Sequence, residues 1–527
     1  MRSRILLLFA FLLLTTTARF LLANSYELSP DEAYYALWAQ HPDIAYYSKG
    51  PGVAMAILAS TSLFGQSEFG VRFFSPLLGL GTSLAIYFLA RRLFKEKIAF
   101  WSVISLNLVP IFNIGSVAMT IDPLSIFFWT VALNTFWLAL EHSPKGFLFW
   151  PLTGLLIGLG FLCKYTNAFQ LFSIVFFLSV VPKYRVEFRR RGFYFLLLFF
   201  VPFLLPPLVW NQQHEWITLE HLSESGGLDH SFGLRFSQVG EFVAAHFGVY
   251  SPLLFAGLMI ALFGSIRKAF QNSKICFLLS FSWPLLVTYL LLSFQKTGEP
   301  NWTAPAFVSL GILATWWWFS AARDHRLVGG ACITALIVAG LTTLAALDTD
   351  FLRMTGIPLP YRLDPSSRLR GWKTVTEEIE RFRSAFEKKL GQRVFLIGNK
   401  YQTASMLSFY LKDKQTEGPG HPPVYIPESQ DIQNQFSFWP RYDEFIAPDE
   451  KPNPAPNEYF TEEAGVNRFV DRTALFITDR PDNDPPQNLQ NAFTRCELVA
   501  VFELERRDLP LRQIRVFACY QYQTLPL

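Results

Sequence analysis

Charge is what this chain has least of. Only 17% of its 527 residues are Asp, Glu, Lys or Arg, against about 25% in a soluble globular chain. That deficit excludes a disordered or nucleic-acid-coating protein and argues against an ordinary cytosolic enzyme. The net charge of +4 is small and scattered, so no polyanion and no nucleic acid is expected as a partner. Cysteine is sparse too, with five residues and no C-x-x-C or other metal-ligand spacing. No ligand cluster therefore argues for a metal centre, which leaves metal dependence open, and no cofactor is expected. Internal repeats and low-complexity tracts are missing. So is a convincing A-x-A cleavage site behind the apolar N-terminus, which reads as an uncleaved signal anchor.

What the chain does have is apolar runs. Hydrophobic residues make up 51% and aromatics 16%, mean hydropathy is +0.24, and the runs cluster in the first two thirds. A run of about 20 residues crosses a bilayer core as a helix. Eleven crossings are expected, near 4–23, 71–90, 98–113, 119–139, 147–163, 166–182, 192–210, 246–265, 275–294, 302–319 and 327–347. Those at 98–113, 147–163 and 166–182 are short, which leaves room for a re-entrant pair. The fold class expected is a multi-pass α-helical membrane protein.

Basic residues set the orientation. Arg2 and Arg4, the group Arg91 to Lys97, the group Lys183 to Arg191, Arg267, Lys268, Lys274, Arg323 and Arg326 all fall on one face, expected to be cytoplasmic. The N-terminus then lies inside, and residues 24–70 and everything after about 348 lie outside. Residues 1–348 read as the membrane domain. Residues 349–527 read as an extracytoplasmic α/β domain, with strands near 393–398, 473–479, 496–504 and 512–522 and helices near 375–390 and 403–411. The proline-rich stretch 412–460 reads as surface loop. Cys496 and Cys519 fall on neighbouring strands, where a disulfide forms if that compartment is oxidising; the sequence leaves both states open.

The chemistry-bearing residues gather on the outer face. Ser29, Pro30, Asp31 and Glu32 make a capping box for an interfacial helix, with Tyr34, Tyr35 and Trp38 as an aromatic belt. The same two carboxylates, Asp31 and Glu32, suit general-base work on an attacking hydroxyl. Lys49, in Tyr46-Tyr47-Ser48-Lys49-Gly50-Pro51-Gly52, suits the neutralisation of an anionic leaving group, or a cation snorkelling to the interface. Nearby aromatics such as Tyr34, Tyr35 and Tyr47 suit sugar faces or a lipid chain. Asp122 and Lys164 are ionisable groups close to membrane depth, where function is the default reading. Their structural alternatives are a helix-start carboxylate and a snorkelling lysine. In Lys296-Thr297-Gly298-Glu299-Pro300-Asn301-Trp302, Lys296 or Glu299 is a candidate cleft residue, the alternative being a turn with interfacial anchoring. His214, His221 and His230 read as loop histidines.

The order Asp31-Glu32-Ala33-Tyr34-Tyr35, Tyr46-Tyr47-Ser48-Lys49-Gly50-Pro51, Glu68-Phe69-Gly70-Val71-Arg72, Asp122-Pro123 and Gly160-Phe161-Leu162-Cys163-Lys164-Tyr165 resembles the family-39-like membrane glycosyltransferases. That group includes protein mannosyltransferases, the aminoarabinose transferase of lipid A and bacterial galacturonosyl transferases of lipopolysaccharide. The resemblance covers most of residues 1–350, and Pro300 to Ala306 is similar to the bacterial branch. It implies a GT-C fold, a bacterial inner membrane and a polyprenyl-phosphate sugar donor. The acceptor it implies is an envelope lipid, a glycan or a protein. On that resemblance Asp31 is the general base of an inverting transfer, Glu32 assists in positioning and Lys49 faces the donor phosphate. Asp122 shapes the site, and Tyr34, Tyr35, Tyr47, Lys164 and Glu299 contact substrate. Two departures matter. Ser48 stands where several relatives carry an acid before the lysine, and Tyr34 where some carry an arginine. The competing classes are a lipid-linked sugar flippase, which should show paired broken helices, and an inactive membrane scaffold.

Overall fold

The structure, a computed structural model, describes residues 2–228, 233–357, 359–411, 420–429, 431–443, 467, 469–480 and 484–523. Contacts divide the chain into two compact units. One comprises Met1–Ala23, Asp43–Phe64 and Phe69–Phe351; the other comprises Asn24–Pro42, Gly65–Glu68 and Leu352–Leu527. The composition change near 348 falls close to one of these boundaries. The assignment of 24–42 to the second unit leaves no trace in composition.

The first unit is helical. Among the described residues, eight helices are long and apolar enough to cross a membrane: Ser3–Ser25, Glu68–Leu93, Ile121–Glu141, Arg191–Gln213, Pro252–Ala269, Ser273–Leu292, Pro300–Arg323 and Arg326–Leu347. They correspond to eight of the eleven runs. The remaining three are the short ones. The run at 98–113 is two helices, Glu96–Asn107 and Pro110–Gly115, because Pro110 has no N–H to continue the ladder and forces Val109 into an extended conformation. The run at 147–163 is a helix of 15 residues, Phe149–Cys163. The run at 166–182 breaks before Pro182 and bends by 118° into Pro182–Arg189. A further short apolar helix, Gly52–Phe64, is hidden in sequence by its length.

Lipid gives helices no hydrophobic reason to associate, so close packing and polar pairing hold them. Gly154 brings Phe149–Cys163 so near Arg191–Phe200 that a Cβ there would lie 2.0 Å from the Leu196 carbonyl oxygen. Thr153 donates to Thr135 across the next interface at 2.9 Å. Arg19, 2% exposed, donates to Asn107 Oδ1 at 2.7 Å, and Asn107 in turn donates to Ser83 at 3.0 Å. A bundle core of Leu, Phe and Trp closes around these contacts. Leu6, Leu14 and Leu327 point outward, more than two-thirds exposed, as lipid-facing positions do.

The second unit is built on a five-stranded sheet, with strands β1 (Phe395–Gly398), β2 (Val424–Tyr425), β3 (Ala474–Thr478), β4 (Phe493–Arg506) and β5 (Leu509–Tyr522). The order is β2-β1-β3-β5-β4. β1 pairs parallel with β2 and β3, while β5 runs antiparallel to β3 and β4. β1 and β3 are fully buried continuous apolar runs, as inner parallel strands are. β4 and β5 form a hairpin whose two turn residues, Arg507 and Asp508, both take positive φ, the geometry that matches strand twist. Cys496 faces Cys519 across that hairpin, and the two form a disulfide. Helices Trp372–Leu390 and Tyr401–Tyr410 match the expected ones. β2, only two residues long, lies inside the proline-rich stretch read as loop; most of 412–460 lies outside the described residues, as does His230.

Candidate active site

The helix Pro30–Gln40 begins with the expected capping box. Ser29 Oγ accepts from the Glu32 N–H, and Glu32 Oε2 accepts from the Ser29 N–H at 2.9 Å. Glu32 is fully buried and residues 33 to 39 are buried as well, whereas Asp31 is exposed. The two neighbouring carboxylates are thus separated in role: one closes the helix, and the other faces outward at its head. The rest of its own unit, the second, packs around this helix. Tyr34 Oη accepts from the Gln435 N–H at 2.6 Å, its ring lies 4.7 Å from that of Tyr401, and it stacks on Phe436. Tyr35 packs edge-on against Trp38. The flanks are tied as well: the Leu28 N–H donates to Tyr410 Oη at 3.0 Å, and the Trp372 N–H to Glu27 at 2.6 Å. Burial, helped by the charge of Asp31, pushes the Tyr401 phenol up to about 12.

In the membrane unit, Tyr46 and Lys49 close a tight turn through their backbones, with Tyr46 N–H to Lys49 O at 2.9 Å and Lys49 N–H to Tyr46 O at 3.3 Å. Gly50 follows because nothing larger fits: a Cβ there would sit 2.3 Å from the Leu162 carbonyl oxygen. The turn is therefore seated on the end of Phe149–Cys163, immediately before Lys164. Tyr47 is buried, and its ring packs 4.7 Å from that of His221. His221 stands on Ile217–Ser225, a helix beyond the span ending at Gln213. Burial, together with the nearby charges of Lys49 and Lys296, lowers its imidazole to about 4. Lys296 also donates to the Glu224 carbonyl at 3.0 Å. Burial raises the Tyr47 phenol to about 12, reinforced by Glu224 and Glu220.

Three separate elements meet at Asp122. Lys164 Nζ lies 2.6 Å from Asp122 Oδ1, both side chains largely buried. Asn301 Nδ2 donates to Asp122 Oδ2 at 2.7 Å, and Lys164 also donates to the Asn301 carbonyl at 3.2 Å. Asp122 lies in the first turn of its helix, behind the Thr120 cap, so the helix-start position and the ion pair coexist. Lys164, far from snorkelling, is 7% exposed. Glu299 opens the turn carrying Asn301 and is itself exposed.

The structure thus brings together Tyr47 with Lys49, and Asp122 with Lys164, on the membrane unit. Asp31, Glu32, Tyr34 and Tyr35 stand together on the other. Sequence reasoning passed over His221, Asn301 and Tyr401 as site residues, while Lys296 was one of its two alternatives for lining a cleft. Asn301 was visible as a polar residue beside Trp302 at the start of a span. Tyr401 carries no local signal, because only the tertiary fold brings it to Tyr34. Among the described residues, no group of three His, Cys, Asp or Glu side chains is placed to hold a metal ion.

Residues 48–210 match the family described as dolichyl-phosphate-mannose-protein mannosyltransferase. The lipid A galacturonosyltransferase RgtD of Rhizobium johnstonii is 27% identical over 402 residues, 76% of this chain and 81% of that protein. An undecaprenyl phosphate-alpha-4-amino-4-deoxy-L-arabinose arabinosyl transferase of Proteus mirabilis is 25% identical, but over just 57% of each chain. In fold, the chain is similar to ArnT from Cupriavidus metallidurans bound to undecaprenyl phosphate, with a TM-score of 0.62 at 17% identity and coverage of 98% and 97%. Ordered motifs, membrane helices and an appended sheet domain agree with these matches: the chain is similar to membrane glycosyltransferases of the family-39-like group and has the GT-C fold.

Proposed function

We propose that the chain transfers a sugar from a polyprenyl-phosphate donor to an envelope lipid of the lipopolysaccharide or lipid A type, with Asp31 as the general base. The observation that carries the role of Asp31 is its exposure at the head of a helix whose next eight residues are buried. A carboxylate held on so fixed a support can meet a substrate hydroxyl in one geometry. It takes the proton of the acceptor hydroxyl, the oxygen attacks the anomeric carbon, and polyprenyl phosphate departs from the opposite face with inversion. Lys49 faces the departing phosphate and offsets its charge. Asp122, paired with the Lys164 cation and accepting a hydrogen bond from Asn301, holds three outer elements in register around Lys49's turn. Glu32 positions Asp31 by fixing the helix start. Tyr34, Tyr35, Tyr47 and Glu299 line the surroundings. The relatives' printed activities, on lipid A and on undecaprenyl-phosphate aminoarabinose, support both substrate classes.

The proposed setting is a bacterial inner membrane, with the N-terminus cytoplasmic and the sheet domain periplasmic. The one-sided distribution of basic residues supports it, as does a disulfide in the sheet domain. The test is release of free polyprenyl phosphate from a panel of polyprenyl-phosphate sugars by membranes carrying the wild-type chain or Asp31→Asn. Loss of a general base should lower release by about 10²–10⁴-fold. Equal release by the two would remove Asp31 from the chemistry and leave it at the helix start alone.

A further inference from the structure

We infer that the sheet domain carries a binding site for an uncharged sugar residue at the carboxyl edge of its parallel strands. In open sheets with parallel strands, ligands bind outside the carboxyl ends where successive connections diverge. β1 lies at such a point here, between β2 and β3. The chain leaves β1 at Gly398 and turns through Asn399 and Lys400 into the helix Tyr401–Tyr410. It leaves β2 at Tyr425 and runs on through Glu428 and Ser429. A cavity of about 290 Å³ opens there, lined by Asn399, Lys400, Tyr401, Glu428, Ser429 and Asn434 among others. That volume lies near the lower end of the roughly 300–1,000 Å³ range of small-molecule sites, which suits one sugar ring rather than an extended glycan.

The lining decides the ligand's charge. Its one basic residue, Lys400, is paired with Asp479 at 2.9 Å. Its one acid, Glu428, is paired with Arg441 at 3.2 Å. A phosphate or a uronic acid would require an uncompensated cation, and the described lining supplies none. What remains is the hydrogen-bonding of amides and a hydroxyl, with the tyrosine ring beside them. Asn399 Nδ2 donates to Asp479 Oδ1 at 3.2 Å, which turns its Oδ1 into a buried acceptor with no donor among the described residues. A sugar hydroxyl supplies such a donor, and buried polar groups without a partner are rare in folded proteins.

The site also has a position relative to the proposed chemistry, entirely within one compact unit. Tyr401 lines the cavity and packs against Tyr34, one helical turn beyond Asp31. A sugar residue of the acceptor held there would be carried by the same body that carries the proposed base. The ligand's identity as acceptor rests on the transferase reading; its class rests on the cavity alone.

The experiment is saturation-transfer NMR on the purified full-length protein in detergent. The probes are methyl α-glucoside, methyl α-mannoside and N-acetylglucosamine, with galacturonic acid as the charged comparison. At least one neutral sugar should receive saturation from the wild type and from Asp31→Asn. The signal should fall at least fivefold in Ser429→Trp, which fills the cavity, and about twofold in Gln433→Ala, a gentler change on the exposed rim. Donor-only release of polyprenyl phosphate should stay within twofold of wild type in both cavity variants. No neutral-sugar signal from wild type, an equal signal from Ser429→Trp and Gln433→Ala, or a stronger signal from galacturonic acid would overturn the inference. If Ser429→Trp loses donor release as well, Gln433→Ala decides. Sugar binding without any donor turnover by wild type would sink the transferase reading and leave the cavity site standing; turnover without sugar binding does the reverse.

Discussion

Asp31 and Glu32 are adjacent, chemically alike and placed in opposite surroundings. Glu32 makes its hydrogen bond to the Ser29 backbone from a fully buried position, so its part is to start a helix rather than to exchange protons. Glutamine fills the same capping position. Glu32→Gln should therefore keep both the thermal stability and the donor turnover of the wild type. Glu32→Ala, which leaves the Ser29 N–H without its partner, should cost about 1 kcal/mol and lower turnover by disordering the support of Asp31. A turnover loss in Glu32→Gln as large as that in Asp31→Asn would assign chemistry to both acids. At this scale the sequence named most of the polar residues, yet spacing could not divide roles between Asp31 and Glu32; only the family resemblance did. Capping box and carboxylate pair are the same letters, and burial separates them. Lys164 was harder: a lysine at a helix end fits a snorkelling position, and its partner Asp122 is 42 residues away.

Elements were legible in proportion to their length. The long apolar runs appear as helices with ends within a few residues, because nothing but a helix satisfies the backbone in lipid; the exception is 246–265, which straddles a break at Ser251 between Phe236–Val249 and Pro252–Ala269. The short runs were ambiguous for a physical reason: Pro110 and Pro182 interrupt stretches whose hydropathy is continuous. Helix Ile217–Ser225 shows what such reading leaves out. It is short and mixed in composition, yet it delivers His221 to Tyr47 and places it in the field of Lys49 and Lys296. Glu220 and Glu224 act on Tyr47 from the same helix. The His221 imidazole is lowered from 6.5 to about 4 in the folded chain. Between those values the unfolded segment holds a proton that the folded one does not, so falling pH weakens the docked helix there. Above 6.5 both forms are neutral and the effect vanishes. Hydrogen-exchange protection in residues 217–225, corrected for the intrinsic rate at each pH, should fall between pH 7 and pH 5 in the wild type, and far less in His221→Phe. An equal response in both would place the pH sensitivity elsewhere.

For the whole molecule, hydropathy and basic residues conveyed the class and the order of its parts. They could not show that residues 24–42 cluster with 352–527, since that grouping rests on side chains hundreds of positions apart, such as Tyr34 with Gln435 and Leu28 with Tyr410. The Cys496–Cys519 bridge closes a separation of 23 residues. Replacing both with serine should lower the unfolding free energy of the sheet domain by about 2–4 kcal/mol, read by thermal or denaturant unfolding. In cells with an intact oxidising pathway, the two thiols should resist alkylation until a reductant is added. Ready alkylation of both in untreated cells would place that domain in a reducing compartment.

The membership of 24–42 bears on how such enzymes can be recombined. A chimera made by exchanging the C-terminal third at a single junction near 351 would keep the native stretch around Asp31 while replacing the surfaces that grip it: Gln435, Tyr401, Tyr410 and Trp372. Such a hybrid would retain every proposed reacting group in its sequence and still lack a formed site. Grafts that move both segments together are the ones in which a transplanted specificity can be expected to appear.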